Sequence, residues 1–178
     1  MITETDYETH IVLVRGVLNR EGQQKLIDSV ESIVWRGTAS TAGAAPTRQV
    51  GSISIEEGTL DAAFDSIFPA TFRGSTFFGL SYERVAIANY KKGDSFKLHA
   101  DAVYAREEGI RSAFSILIYL NDDFQGGETA FPDLRRVVRP EAGTAIVFGH
   151  THRHAGRPVL SDGVKYALHL FALYKDCN

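Results

Sequence analysis

His99 and Asp101 stand two residues apart, a spacing that in a strand aims an imidazole and a carboxylate at one point, because residues i and i+2 share a face. A further imidazole is on offer at His150, His152 and His154, again spaced two apart. Two histidines and one carboxylate on one side of a metal leave coordination positions open, which suits an iron(II) centre that must also take a co-substrate and oxygen. Structural zinc more often closes four positions, commonly with cysteines, and the only cysteine here is Cys177. The competing reading of His99 and Asp101 taken alone is a solvated polar pair. For the individual histidines it is a polar loop or strand edge. Lys165 is the third signal, in a final apolar run with Ala167, His169, Phe171 and Leu173 on its side. An ammonium facing an interior is costly unless paired, so either a small anion meets it or the side chain snorkels outward.

Those residues need elements to position them. Ile11 to Val14 reads as an opening strand, and Asn19 as the cap of a helix whose apolar face is Leu26, Ile27, Val30, Ile33 and Val34, with Trp35 closing it. The segment from Gly37 to Gly51, rich in Gly, Ala, Thr and Ser, reads as a long loop. Leu60, Ala63, Phe64, Ile67 and Phe68 predict a second, shorter helix. Beyond Tyr82 the texture turns to strands: Val85 to Tyr90, Arg111 to Leu120, Val137-Val138, Thr144 to Phe148 and Val164 to Tyr174, separated by Gly, Pro and Asp. Helices first and short strands later argue against a doubly wound sheet. The expectation is an α+β chain with a mainly β core: two helices outside an antiparallel sandwich or barrel.

Bulk properties bound the function. A chain of 178 residues suits one domain, 1–178, with enough length for a real core. With 19 basic and 22 acidic residues there is no global bias toward nucleic acid or an anionic membrane. The lone cysteine fits a reducing compartment, the acidic start lacks a signal-peptide pattern, and no apolar stretch approaches the roughly 20 residues of a membrane span. The expected location is the cytoplasm, with no membrane partner.

The run Tyr90-Lys91-Lys92-Gly93-Asp94-Ser95-Phe96-Lys97-Leu98-His99-Ala100-Asp101 resembles the stretch through the first two iron ligands of the prolyl 4-hydroxylase-like oxygenases. Arg111-Ser112 with Ile118-Tyr119-Leu120-Asn121-Asp122 resembles that family's next strand, and Gly126-Gly127-Glu128-Thr129-Ala130-Phe131-Pro132 its glycine-rich turn. Val138, Pro140, Gly143, Ala145 and Phe148 follow, then His154-Ala155-Gly156-Arg157-Pro158-Val159 and Gly163-Val164-Lys165-Tyr166, in the family's order. The motif-bearing core is about 82–174. The resemblance implies a double-stranded β-helix (jelly roll), iron(II), 2-oxoglutarate and oxygen, with ascorbate a candidate reductant. It selects His154, before Pro158-Val159, to join His99 and Asp101 as the metal and catalytic set. It matches Lys165, Tyr119 and Tyr90 to residues that bind the far carboxylate of 2-oxoglutarate. The gap from His154 to Lys165 is longer than usual for the family, which calls for a bulge or turn near Ser161-Asp162.

The implied reaction is hydroxylation of an unactivated carbon in a prolyl residue, free amino acid or small metabolite. Asp101 favours that over halogenation, since related halogenating enzymes have a small residue there. Segments 37–51, including Arg48, and 103–109 are candidates for the entrance of a small-molecule or peptide substrate. The alternatives are a jelly-roll metal-binding sensor without oxygenase activity, against which Lys165 and the glycine-rich turn count; a nucleic-acid demethylase, against which the acidic balance counts; and a zinc hydrolase, for which no partnered general base stands out.

Overall fold

The structure, a computed structural model, describes residues 10–38, 48–107 and 109–177. Strand β1 (Val12–Val14) leads into helix α1 (Arg20–Asp28), where Asn19 Oδ1 accepts from the Gly22 N–H at 2.8 Å and satisfies an open donor of the first turn. The helix stops well before Trp35, earlier than its apolar spacing predicts. The Ser29 and Ser32 hydroxyls donate to the carbonyls of Leu26 and Ser29 in competition with the helical ladder, and after one 3-10 turn Ile33 is extended.

The long loop expected over 37–51 is a strand at each end. β2 (Arg36–Thr38) pairs antiparallel with β3 (Arg48–Ser52), while 39–47 lie outside the described residues. Arg48, Gln49 and Ser52 supply no apolar alternation to betray that strand. The second helix shrinks to one turn, α2 (Asp61–Phe64), because Ser66 takes a positive φ of 75° that no helix continues. Ten further strands follow: β4 (Thr71–Phe72), β5 (Ser75–Leu80), β6 (Ala86–Tyr90), β7 (Phe96–His99), β8 (Ile110–Tyr119), β9 (Thr129–Phe131), β10 (Arg136–Val138), β11 (Ala145–Gly149), β12 (His154–Gly156) and β13 (Lys165–Asp176).

They form two antiparallel sheets, as a jelly roll requires. The larger runs β1-β11-β8-β13-β6-β3-β2, with β5 also on β13 and β4 on β5; the smaller runs β10-β9-β12-β7. Alternation along β8, β11 and β13 sorts side chains between the faces of the large sheet. Ile116, Ile118, Val147, Leu168 and Leu170 meet Leu60, Phe64, Phe68 and, from α1, Leu26 and Ile27 on the helical side. Tyr119, Ile146, Phe148 and Ala167 face the other way and meet Phe131 of β9, which closes the sandwich. Each fully buried apolar side chain contributes about 1.5–3 kcal/mol, and Ile116, Ile118, Leu168 and Leu170 are all 0% exposed. No helix among the described residues is long and apolar enough to cross a membrane.

Two features of this frame set the interior. β13 pairs with β6 so that Lys165 lies opposite Tyr90 and Ala167 opposite Ala88, and it pairs with β8 so that Ala167 lies opposite Tyr119. The chain bends at residues 161–163 just before β13, which supplies the turn that the His154–Lys165 spacing calls for. Secondly, Gly126 and Gly127 turn with φ of 75° and 68°. A Cβ on Gly126 would run into the Pro158 carbonyl oxygen, and one on Gly127 would stand 3.2 Å from Lys165 Cδ. Their freedom lets the Gly127 N–H donate to the Pro158 carbonyl at 2.9 Å and the Gly127 carbonyl accept from Lys165 Nζ at 2.7 Å.

Gly126→Ala meets both the left-handed backbone and a backbone oxygen, so it is expected to cost about 2 kcal/mol or more, a fall in Tm of roughly 4–8 °C at this size. Gly93→Ala, with φ of 87° but nothing within 4 Å of the added carbon, is expected to cost clearly less. Thermal unfolding of the two variants checks the ranking.

Candidate metal centre and anion pocket

His99 ends β7 and His154 begins β12, and the antiparallel register sets them directly opposite, with ring centroids 4.3 Å apart. Asp101 lies past the end of β7, so it does not reach the histidines by strand alternation as the His-x-Asp spacing suggests. It is brought back by Ser115 of β8, whose hydroxyl donates to Asp101 Oδ2 at 2.6 Å. Nε2 of His99 then lies 3.5 Å from Oδ1, and Nε2 of His154 lies 3.9 Å from Oδ2. One donor atom from each of His99, Asp101 and His154 falls within 4.8 Å of the others, and among the described residues no other such trio forms.

The far side of each ring explains why Nε2 faces inward. His99 Nδ1 is 2.8 Å from the Lys97 carbonyl and His154 Nδ1 is 3.2 Å from the His152 carbonyl. A carbonyl only accepts, so Nδ1 carries a hydrogen in both, and Nε2 is the nitrogen turned to the cavity, the orientation of a metal-ligating histidine. Burial pushes the His154 imidazole down to about 4, against the opposing field of Asp101, so it is neutral at ordinary pH. Burial pushes the Asp101 carboxyl up, but contacts with His169 and His99 and the nearby His154 outweigh it and hold the group well below the usual carboxylate range.

The other two histidines of the 150–154 cluster stay out of the trio. His150 Nδ1 lies 3.4 Å from Ser115 Oγ, and burial pushes its imidazole down to about 4. His152 contributes its backbone carbonyl to His154. A histidine not singled out as a site residue does approach: His169 Nε2 is 3.4 Å from Asp101 Oδ2. Its signal was its place on the Lys165 face of the last strand. Ser115 gave none, since one serine in an apolar run reads as filler.

The same cavity is also lined by Lys165, Tyr90, Thr129 and Arg48. Lys165 is 3% exposed, donates to the Gly127 carbonyl, and lies 4.9 Å and 5.3 Å from the ring centroids of Tyr90 and Tyr119. Those are cation–π distances. Among the described residues no carboxylate closes an ion pair with it. Burial, then the nearby Arg48, pushes the ammonium down to about 8, with Glu128 opposing. The tyrosine hydroxyls are engaged: Tyr119 donates to Thr129 Oγ1 at 2.7 Å, and Tyr90 accepts from Arg48 at 2.8 Å. The guanidinium of Arg48 also lies over the Phe96 ring, 3.5 Å from its centroid. Of the two candidate entrance segments, Arg48 thus reaches the cavity, while in the other Tyr104 is tied to β8, its N–H donating to the Ser112 hydroxyl at 2.8 Å.

Known proteins carry the same arrangement of strands. The chain is 37% identical over 75 residues to a protein named as a putative prolyl 4-hydroxylase of Acanthamoeba polyphaga mimivirus, covering 36% of this chain and 31% of that one. It is 30% identical over 96 residues to probable prolyl 4-hydroxylase 11 of Arabidopsis thaliana, covering 49% of this chain and 33% of that one. The match thus spans about a third of the length of these curated relatives. The viral collagen prolyl hydroxylase of Paramecium Bursaria Chlorella virus-1, solved as a 2-oxoglutarate complex, shares the fold with a TM-score of 0.64 at 19% identity, over 94% of this chain and 97% of that one. Residues 85–173, half of the chain, match the model of the 2OG-Fe(II) oxygenase superfamily, and the chain belongs to that superfamily.

Proposed function

We propose that the chain is an iron(II)- and 2-oxoglutarate-dependent hydroxylase, with His99, Asp101 and His154 holding the metal and Lys165 the far carboxylate of 2-oxoglutarate. The observation that carries this reading is one cavity lined both by the His99, Asp101 and His154 donor set and by the buried Lys165 ammonium. A metal-binding module without oxygenase activity has no use for the ammonium. When bound, iron(II) and 2-oxoglutarate supply oxygen activation: the co-substrate is decarboxylated to succinate and one oxygen atom enters a C–H bond of the substrate.

The chain's own residues prepare that chemistry. The Lys97 and His152 carbonyls take the Nδ1 hydrogens of His99 and His154, which aims Nε2 of each at the metal. Asp101 stays ionised and supplies the negative ligand. Lys165 neutralises a carboxylate taken out of water, and Tyr90 and Tyr119 wall it with their ring faces, excluding water from the pair. The relatives' names support a prolyl residue as the substrate, with free amino acids and small metabolites next. A panel of proline peptides and free amino acids, supplied with iron(II), 2-oxoglutarate and labelled oxygen, tests this. The expected product gains one oxygen from molecular oxygen with release of succinate; a chlorinated main product in added chloride would contradict it.

His99→Ala, Asp101→Ala and His154→Ala are each expected to abolish iron(II) binding and turnover, because each leaves an incomplete set. His152→Ala is expected to keep both, since His152 gives His154 its backbone carbonyl, which the variant retains, and is not one of the trio. Iron titration of the purified variants decides; loss in His152→Ala with retention in His154→Ala would reassign the ligand.

Lys165→Ala removes a charge-assisted bond worth ~1.5–3 kcal/mol, so the 2-oxoglutarate requirement is expected to rise roughly ten- to a hundred-fold with iron binding intact. The protonated lysine is the binding form and titrates at about 8 when no carboxylate is bound. Affinity for 2-oxoglutarate is therefore expected to be level below about pH 8 and to fall above it. Lys165→Arg, charged throughout, is expected to lose that pH dependence. Titrating 2-oxoglutarate against the iron-loaded proteins from neutral to alkaline pH checks both; an unchanged affinity in Lys165→Ala would remove the lysine from the site.

A further inference from the structure

We infer that Ser115 is the positioning residue that makes Asp101 a one-oxygen metal ligand, by holding Oδ2 and leaving Oδ1 to the metal; the inference rests on the metal centre proposed above. Asp101 has no strand to orient it, since β7 ends at His99. Ser115, in contrast, is fixed: it is 0% exposed, and its backbone is paired on both sides, opposite Phe148 of β11 and Phe171 of β13. A hydroxyl has one hydrogen to give. At 2.6 Å from an ionised carboxylate it goes to Asp101 Oδ2, within the range of a charge-assisted O–H···O bond. The Ser115 oxygen can then accept from His150 Nδ1, the weaker contact at 3.4 Å, which turns the hydroxyl toward the carboxylate.

The two carboxylate oxygens are thereby made unequal. Oδ2 carries the Ser115 bond and faces His169 Nε2 at 3.4 Å, with His154 Nε2 farther off at 3.9 Å. Oδ1 faces His99 Nε2 at 3.5 Å. A carboxylate free to chelate through both oxygens would occupy a position that a bidentate co-substrate and oxygen need. Groups that orient a ligand in this way commonly change metal affinity ten- to a hundred-fold when removed. The arrangement also gives His150 and Ser115 a use that metal ligation does not give them.

The full-length protein is titrated with cobalt(II), whose optical d–d bands report coordination without any turnover, and thermal unfolding of the metal-free proteins reports folding separately. Ser115→Ala is expected to bind cobalt(II) roughly ten- to a hundred-fold more weakly and to show an altered d–d spectrum, because the released Oδ2 is free to join the metal. Ser115→Thr keeps the hydroxyl and is expected to return both readouts toward the unmodified protein. Unchanged affinity and spectrum in Ser115→Ala would overturn the inference, as would a folded Ser115→Thr that behaves like Ser115→Ala. Should Ser115→Ala fail to fold, Ser115→Cys, close in size with a much weaker donor, takes its place with the same two outcomes. Failure of the unmodified protein to bind cobalt(II), or unchanged binding in His99→Ala, would overturn the metal centre itself, which separates the two failures.

Discussion

A carboxylate with its side chain only 12% exposed must be met by donors, and the interior is arranged around that requirement at Asp101. Taking an ionised carboxylate out of water costs several kcal/mol, while one hydrogen bond to it returns ~1.5–3 kcal/mol. Ser115 therefore offsets part of the cost. Burial holds the nearby His154 imidazole down at about 4, so that ring does not meet the carboxylate as a cation at ordinary pH. A buried anion beside a neutral imidazole is a poor salt bridge but a good seat for a divalent cation. The Lys97 and His152 carbonyls lie against Nδ1 of His99 and His154, which turns Nε2 of each toward the carboxylate.

The opposite imbalance stands at the other end of the cavity. Lys165 brings a positive charge into an interior where it meets one carbonyl and two aromatic faces. In the proposed reading, a dicarboxylate with one end at the metal and the other at Lys165 answers both imbalances together. The sheet geometry makes the two ends part of one frame. His99 and His154 are placed by the β7–β12 pairing of the small sheet, and Lys165 by the β6–β13–β8 pairings of the large one. The glycine turn at Gly126-Gly127 joins them, because it both docks on Pro158 after β12 and accepts from Lys165.

Much of this was legible in the sequence, for reasons that differ by residue. The long strands β8 and β13 announce themselves through apolar and β-branched runs, and the period of two along β13 placed Lys165, Ala167 and His169 on one face. The His–Asp–His trio was found through resemblance and spacing, although Asp101 is reached by a side-chain bond from β8 and not by strand alternation. β2 and β3 were missed because Arg48, Gln49 and Ser52 face a polar cavity or solvent, which erases the apolar pattern a strand usually shows. The first helix was read too long because apolar spacing persists where Ser29 and Ser32 unwind the ladder. Ser115 was illegible, since its role depends on a partner in another element and not on its neighbours in sequence.

The proposed function requires one cavity to hold a metal at His99, Asp101 and His154 and a dicarboxylate between that metal and Lys165. Diffraction at the iron absorption edge, from crystals grown without oxygen in iron(II) and 2-oxoglutarate, checks this. One anomalous peak is expected within bonding distance of His99 Nε2, His154 Nε2 and Asp101, with the far carboxylate of 2-oxoglutarate against Lys165 Nζ. An iron peak on His150 or His169 in place of that trio, or a far carboxylate seated on Arg48 with Lys165 untouched, would contradict it.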